Sequence, residues 1–193
     1  MIVIGNGESR KSLNLNLTQE NKIGCNAAYR DLELRHLVCV DKRCLQEAMS
    51  NNFTDIGKLY TRSEHYIDNQ KNLRLVPDLF YAGSERYDEP QHWGAGPYAV
   101  LLASKLTTSK HVKLVGFDLY GIDNKVNNVY KDTTNYSLSQ KSAVDPSYWI
   151  IQLGKIFEFY SDVKYTIYNT EDWVMPKKWK KPNVSLDKLT NIV

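Results

Sequence analysis

Short apolar runs alternate along the chain with longer segments of helical or polar pattern. The apolar runs predict strands at residues 1–5, 22–26, 36–41, 58–61, 73–77, 111–118 and 163–168. Apolar residues at helical spacing predict helices at residues 42–51, 96–106 and 147–160, and Pro97 suits a first helical turn. Strands that alternate with helices are typical of an α/β fold with a mostly parallel sheet.

The pattern therefore predicts a single domain with a Rossmann-like sheet and helices on both faces. Residues 1–170 are expected to form this domain, and residues 121–145, rich in polar side chains, to form its lid. Residues 171–193 carry Trp173 and Trp179 between lysines. They are interpreted as a basic, solvated tail, with contact to nucleic acid as the alternative.

Composition narrows the function classes. The chain has 193 residues with 42% hydrophobic and 24% charged residues, as in an ordinary globular protein, and its net charge of +3 is too small to favour nucleic acid as a partner. No apolar run is long enough to span a membrane and no secretory signal is recognised, so we expect a cytoplasmic protein. Its three cysteines lack metal-ligand spacing, and no metal site is expected. The sequence leaves open whether the protein forms a homo-oligomer.

Polar residues follow several predicted strands at the point where each strand ends. These residues are Asn6, Asn26, Asp41 and Asp118. Because ligands bind outside the carboxyl ends of parallel strands, these side chains mark the expected site. A tight turn for Asn6 and a helix N-cap for Asn26 are the alternatives without a ligand.

In the first turn, Gly5-Asn6-Gly7-Glu8-Ser9, the glycines allow a phosphate to come close to the backbone N–H groups. It lacks the third glycine of a dinucleotide fingerprint and the spacing of a P-loop, which disfavours a nicotinamide-dependent redox enzyme. Among the four histidines, His92 lies nearest to the predicted site, just before the glycine-led helix.

Four motifs follow one another along the chain: Ile-Gly-Asn-Gly-Glu-Ser, Cys-Asn-Ala-Ala-Tyr, the glycine-led helix and Val-Gly-Phe-Asp-Leu-Tyr. This order resembles the bacterial sialyltransferases of glycosyltransferase family 42 and related proteins with a Gly-Asn-Gly-Pro-Ser motif. The resemblance implies direct displacement on a nucleotide sugar, most readily one linked to CMP, with a glycan or other acceptor and without a further cofactor. It also implies a nucleotide pocket lined by Gly5, Asn6, Gly7, Ser9, Asn26, Gly96, Gly116 and Asp118.

The catalytic residues that the resemblance implies are two tyrosines that hydrogen-bond the leaving phosphate. Tyr120 matches the first and Tyr130 the second. The family's histidine base has no counterpart between Tyr130 and Tyr148, so His92 or Asp145 would have to replace it. The alternative is a nucleotide-binding protein on the same scaffold that catalyses no transfer.

Overall fold

A computed structural model describes residues 1–81 and 89–192. In this part of the chain, eight parallel strands form one sheet in the order β5-β4-β3-β2-β1-β6-β7-β8. The strands are β1 (Ile2–Ile4), β2 (Lys22–Cys25), β3 (His36–Val38), β4 (Lys58–Thr61), β5 (Leu73–Leu75), β6 (His111–Val115), β7 (Lys164–Asn169) and β8 (Val184–Lys188). The seven predicted strands are all present, and the predicted α/β fold is confirmed.

Helices cover both faces of this sheet. They are α1 (Lys42–Ser50), α2 (Phe53–Ile56), α3 (Ala95–Leu106) and α4 (Ser147–Phe159). Side chains of a strand alternate between the two faces, so Val3 of β1 joins the core beneath α3 and α4. Its neighbours Ile2 and Ile4 join the second core, beneath α1 and α2. Burial on both faces explains why the strands are continuous apolar runs.

The sheet reverses its direction of growth at β1. Strands β2 to β5 extend from one side of β1, whereas β6 to β8 extend from the other. The loops that follow β1 and β6 therefore leave the same edge in opposite directions and open a crevice, where α/β proteins bind ligands. Two backbone hydrogen bonds hold these loops together, from Gly5 N to Val115 O at 2.8 Å and from Gly7 N to Gly116 O at 2.9 Å.

The end of the chain belongs to the folded core. Strand β8 pairs with β7, and the side chain of Trp179 is completely buried. Trp179 donates its indole hydrogen to Ile150 O at 2.9 Å, within α4. The interpretation of residues 171–193 as a solvated tail was therefore wrong, because apolar burial of Trp179 and strand pairing outweigh the solvation of the lysines beside it.

Residues 121–145 contain no helix or strand and lie over the carboxyl edge of the sheet, where a lid was expected. Several hydrogen bonds attach them to the first loop, among them those from Val129 N to Asn6 O and from Glu8 N to Asn127 Oδ1, both 2.8 Å long. Of the stretch 78–93 that was predicted to be irregular, residues 82–88 lie outside the described residues. No helix in the described ranges is long and apolar enough to cross a membrane.

Candidate functional site

A cavity of about 320 Å³ lies at the point where the sheet reverses its direction. Its walls come from the loops after β1, β2 and β6, the start of α3, the lid and α4. The structure brings together seven of the predicted binding residues around it: Gly5, Asn6, Gly7, Asn26, Gly96, Gly116 and Asp118. Ser9 lies behind this wall and contacts the cavity only through Asp118.

The glycines of the first and fourth motifs allow two backbones to come into contact. A Cβ atom on Gly5 would lie 2.3 Å from the carbonyl oxygen of Gly116, and Gly116 itself has a φ of +70°. A Cβ atom on Gly7 would lie 2.3 Å from the carboxyl carbon of Asp118. These glycines are thus required by the fold of the crevice, whether or not a phosphate binds there.

Asp118 joins the loops after β1 and β6. Its buried carboxylate accepts hydrogen bonds from Ser9 N at 2.9 Å and from Ser9 Oγ at 2.5 Å. Its backbone carbonyl accepts the indole hydrogen of Trp173 at 2.7 Å. Asp118 therefore has a structural role in connecting the two loops, and its carboxylate also forms part of the cavity wall.

Two asparagines in the wall keep unused hydrogen-bond acceptors. The side-chain oxygens of Asn6 and Asn26 are both buried and have no hydrogen-bond partner among the described residues. Asn26 has a φ of 51°, and the cap position of the short 3-10 helix Asn26–Arg30 is taken by Cys25, so Asn26 is not an N-cap. Buried acceptors without partners are costly, which favours a ligand that donates hydrogen bonds to them.

The first turn of α3 forms the wall opposite these asparagines. Its cap residue is Gly94, and no side chain caps it, so the N–H groups of Ala95 and Gly96 are available at the cavity. A helix N-terminus carries a partial positive charge and attracts anionic groups. This end of the cavity is suited to a phosphate group.

The other wall residues are nearly all neutral. Among the described residues that line the cavity, Asp118 and Cys25 are the ones with titratable side chains. Burial raises the pKa of the Cys25 thiol to about 12, so it stays protonated at neutral pH. Within the described ranges, no group of three His, Cys, Asp or Glu residues is arranged to hold a metal ion.

The predicted catalytic residues lie in different places. Tyr120 is 39% exposed and lines a smaller pocket beside the cavity. The hydroxyl of Tyr130 is buried, accepts a hydrogen bond from Arg10 Nη2 at 2.6 Å and donates one to Asp31. Tyr130 lines neither the cavity nor the smaller pocket, so its predicted contact with a leaving phosphate does not fit its position.

The two candidates for a general base also lie outside the cavity. The ring of His92 faces Glu89, with 3.3 Å between Nε2 and Oε2. Asp145 is exposed and accepts a hydrogen bond from Ser147 N at 2.9 Å, at the start of α4. Neither side chain is among the residues that line the cavity.

Sequence reasoning missed Tyr136 and Trp149. The hydroxyl of Tyr136 accepts hydrogen bonds from Asn6 Nδ2 and from Ala27 N, both 3.2 Å long. Trp149 lines the cavity and the smaller pocket. Tyr136 lies in the polar lid segment and Trp149 in an apolar helix, and nothing in the local pattern separates either from its neighbours.

Comparison with protein-family models, with curated proteins and with solved structures gave no match for this chain. The resemblance to glycosyltransferase family 42 therefore stays a hypothesis, and the geometry of the site carries the functional argument.

Proposed function

We propose that this protein binds a nucleotide or nucleotide sugar in the cavity between the loops after β1 and β6. The observation that carries the proposal is the pair of buried amide oxygens, on Asn6 and Asn26, that have no partner in the described structure. A nucleotide supplies what they lack, since its ribose hydroxyls and the amino group of its base are hydrogen-bond donors.

The remainder of the wall suits the same ligand. The uncapped start of α3 would receive the phosphate, and the aromatic rings of Phe117 and Trp149 offer apolar surface to a base or sugar. The described lining residues include no lysine or arginine, so a ligand with a single phosphate suits the site better than a di- or triphosphate. By its resemblance to family 42, CMP is the first nucleotide to test.

The test is a binding measurement on one asparagine and a matched control. Asn26→Gly removes the side chain at a φ of 51°, and Asn52→Gly removes one at a φ of 58° on the exposed surface. Glycine adopts a positive φ readily, so neither substitution strains the backbone. We expect Asn26→Gly to weaken CMP binding about tenfold, as the loss of a hydrogen bond predicts, and Asn52→Gly to leave it unchanged.

Thermal unfolding with CMP, UMP, AMP and GMP gives a first screen. A nucleotide at about 100 times its Kd stabilises the fold by about 2.7 kcal/mol, which raises the Tm by about 5–10 °C for a chain of this size. If no nucleotide raises the Tm, or if both glycine variants bind equally well, the proposal fails.

Sugar transfer from the nucleotide is a second candidate function. It is favoured by the smaller pocket, where the phenols of Tyr120 and Tyr136 line the same space beside the cavity. These two hydroxyls, rather than the pair of Tyr120 and Tyr130, are the candidates to stabilise a leaving phosphate. Binding without turnover stays the first candidate, because no histidine lines the described part of the cavity.

The transfer candidate is tested by the release of CMP from a CMP-linked sugar, with and without glycan acceptors. We expect Tyr120→Phe to slow release at least about tenfold while CMP still binds. Tyr66→Phe, a half-exposed tyrosine remote from the cavity, is the control. If both variants release CMP at the same rate, the transfer candidate fails and the protein is one that binds a nucleotide without catalysing transfer.

A further inference from the structure

The smaller pocket adjoins the cavity and shares part of its wall. It has a volume of about 140 Å³. The shared residues are Leu119, Asn127, Asn128 and Trp149. One ligand can therefore extend from the cavity into this pocket, which has room for a single ring.

Trp149 offers this pocket an aromatic wall. It lies in the first turn of α4, and a Cβ atom on Gly94 would be 2.9 Å from its Nε1, so the ring packs closely on α3. Trp149 lines both spaces, and its Nε1 edge lies against Gly94 in the wall of the cavity. A fixed aromatic ring of this kind is suited to stack on another ring.

Tyr136 also lines the pocket. Its hydroxyl accepts hydrogen bonds from Asn6 and from the backbone of Ala27, neither of which lines the pocket, and these bonds hold the side chain in place. Burial raises the pKa of this phenol, which keeps the proton in place at neutral pH. Leu119, on the boundary between the two spaces, has a φ of +66°, a strained conformation for a bulky residue and one that clusters at functional sites.

No charged side chain lines the described part of this pocket. A carboxylate that entered it would lose its hydration without gaining a cation, whereas hydroxyl groups would find the amides of Asn127 and Asn128. The lining therefore favours an uncharged ligand with several hydroxyl groups.

We propose that this pocket is a subsite for an uncharged, hydroxyl-bearing ring, such as a neutral hexose, which stacks on Trp149. The proposal rests on the proposed function only in taking this ring as part of the same ligand as the nucleotide. A neutral sugar differs from the carboxylated sugar that a sialyltransferase would carry.

The experiment uses free glycosides on the full chain, so it does not depend on nucleotide binding. The chain has four tryptophans, and Trp149→Phe identifies the indole signal of Trp149 in a ¹H–¹⁵N correlation spectrum. Methyl glucoside and methyl galactoside are titrated at millimolar concentration against methyl glucuronide, which differs from the glucoside by a carboxylate. We expect the neutral glycosides to shift the Trp149 signal saturably and the glucuronide to bind at least about tenfold more weakly.

A second measurement guards against an indirect effect. Saturation transfer to methyl glucoside should be lost in Trp149→Leu and kept in Phe159→Leu, a change on the exposed side of the same helix. The proposal is overturned if neither neutral glycoside shifts the Trp149 signal, if the glucuronide binds as well as the glucoside, or if Trp149→Leu still receives saturation transfer. Binding of glycosides without binding of any nucleotide would overturn the proposed function and keep this subsite.

Discussion

Replacing Tyr130 with phenylalanine separates a structural role of this residue from the catalytic role that the sequence implied. Arg10 is 4% exposed, and three groups hold its guanidinium: Gly5 O, the carboxylate of Asp31 and the hydroxyl of Tyr130. Tyr130→Phe removes only the hydroxyl and leaves the ring in place. The change takes one of two partners from Arg10 Nη2, which keeps a contact of 3.3 Å with Asp31.

The magnitude follows from these contacts. A hydrogen bond to a charged group contributes about 1.5–3 kcal/mol, and the lower end applies because Arg10 keeps its bonds to Gly5 and to Asp31. Asp31 is 47% exposed on its side chain, so water replaces the bond that it loses. We therefore expect the free energy of unfolding to fall by about 1.5 kcal/mol and the Tm by about 3–6 °C.

The assay combines thermal unfolding with nucleotide binding. Tyr130→Phe is compared with Tyr66→Phe, for which we expect a Tm within about 1–2 °C of the unmodified protein because Tyr66 lies on the surface. The affinity for CMP should be unchanged, since Tyr130 lines neither the cavity nor the smaller pocket. A tenfold loss of CMP affinity or of turnover, at an unchanged Tm, would refute this reasoning and restore the catalytic role.

Three further changes test other parts of the structure. Gly7→Ala should lower stability by more than about 2 kcal/mol in denaturant unfolding, because its Cβ atom would collide with Asp118, which Ser9 holds in place; stability equal to that of the unmodified protein would contradict this. Trp179→Ala should lower it by about 3–5 kcal/mol if the end of the chain is core, whereas a solvated tail predicts no change. Burial alone would raise the pKa of Glu47, but the hydrogen bonds that its carboxylate accepts from Arg30, Tyr29 and Asn135 outweigh burial and lower that pKa. Glu47 therefore stabilises the fold above its unfolded pKa of about 4.5, and this contribution is lost as the pH falls. Unfolding curves for Glu47→Gln and the unmodified protein should therefore differ at pH 7 and converge at low pH; a constant difference would contradict the assignment.

Local pattern predicted most of the sheet. A parallel strand buried on both faces is mostly apolar, so runs such as residues 1–5 and 111–118 can be recognised from the sequence. The residues just after such strands meet at one edge, which is why Asn6, Asn26 and Asp118 could be assigned to one site. Asp41, which was expected there with them, does not line the cavity and instead caps the start of α1 by accepting a hydrogen bond from Arg43 N.

The end of the chain shows where local pattern misleads. The run around Trp179 is rich in lysines and suggests exposure, but its tryptophan fills a gap in the core between α4 and β7. Strand β8 has no buried residue and no alternation of burial, as its pattern of half-buried and exposed positions shows, and only its pairing with β7 defines it.

The sequence by itself determined the fold class, seven of the eight described strands and the edge of the sheet that carries the cavity, because these follow from hydrophobic periodicity and from the parallel arrangement that it implies. Only the tertiary structure decided which lid tyrosine contacts a residue of the cavity wall: the hydroxyl of Tyr136 accepts a hydrogen bond from Asn6, while that of Tyr130, six residues earlier, accepts one from Arg10. It also decided that Trp149 lines both spaces. The physical reason is that the path of a polar loop is set by hydrogen bonds to residues more than a hundred positions away, which no local spacing encodes.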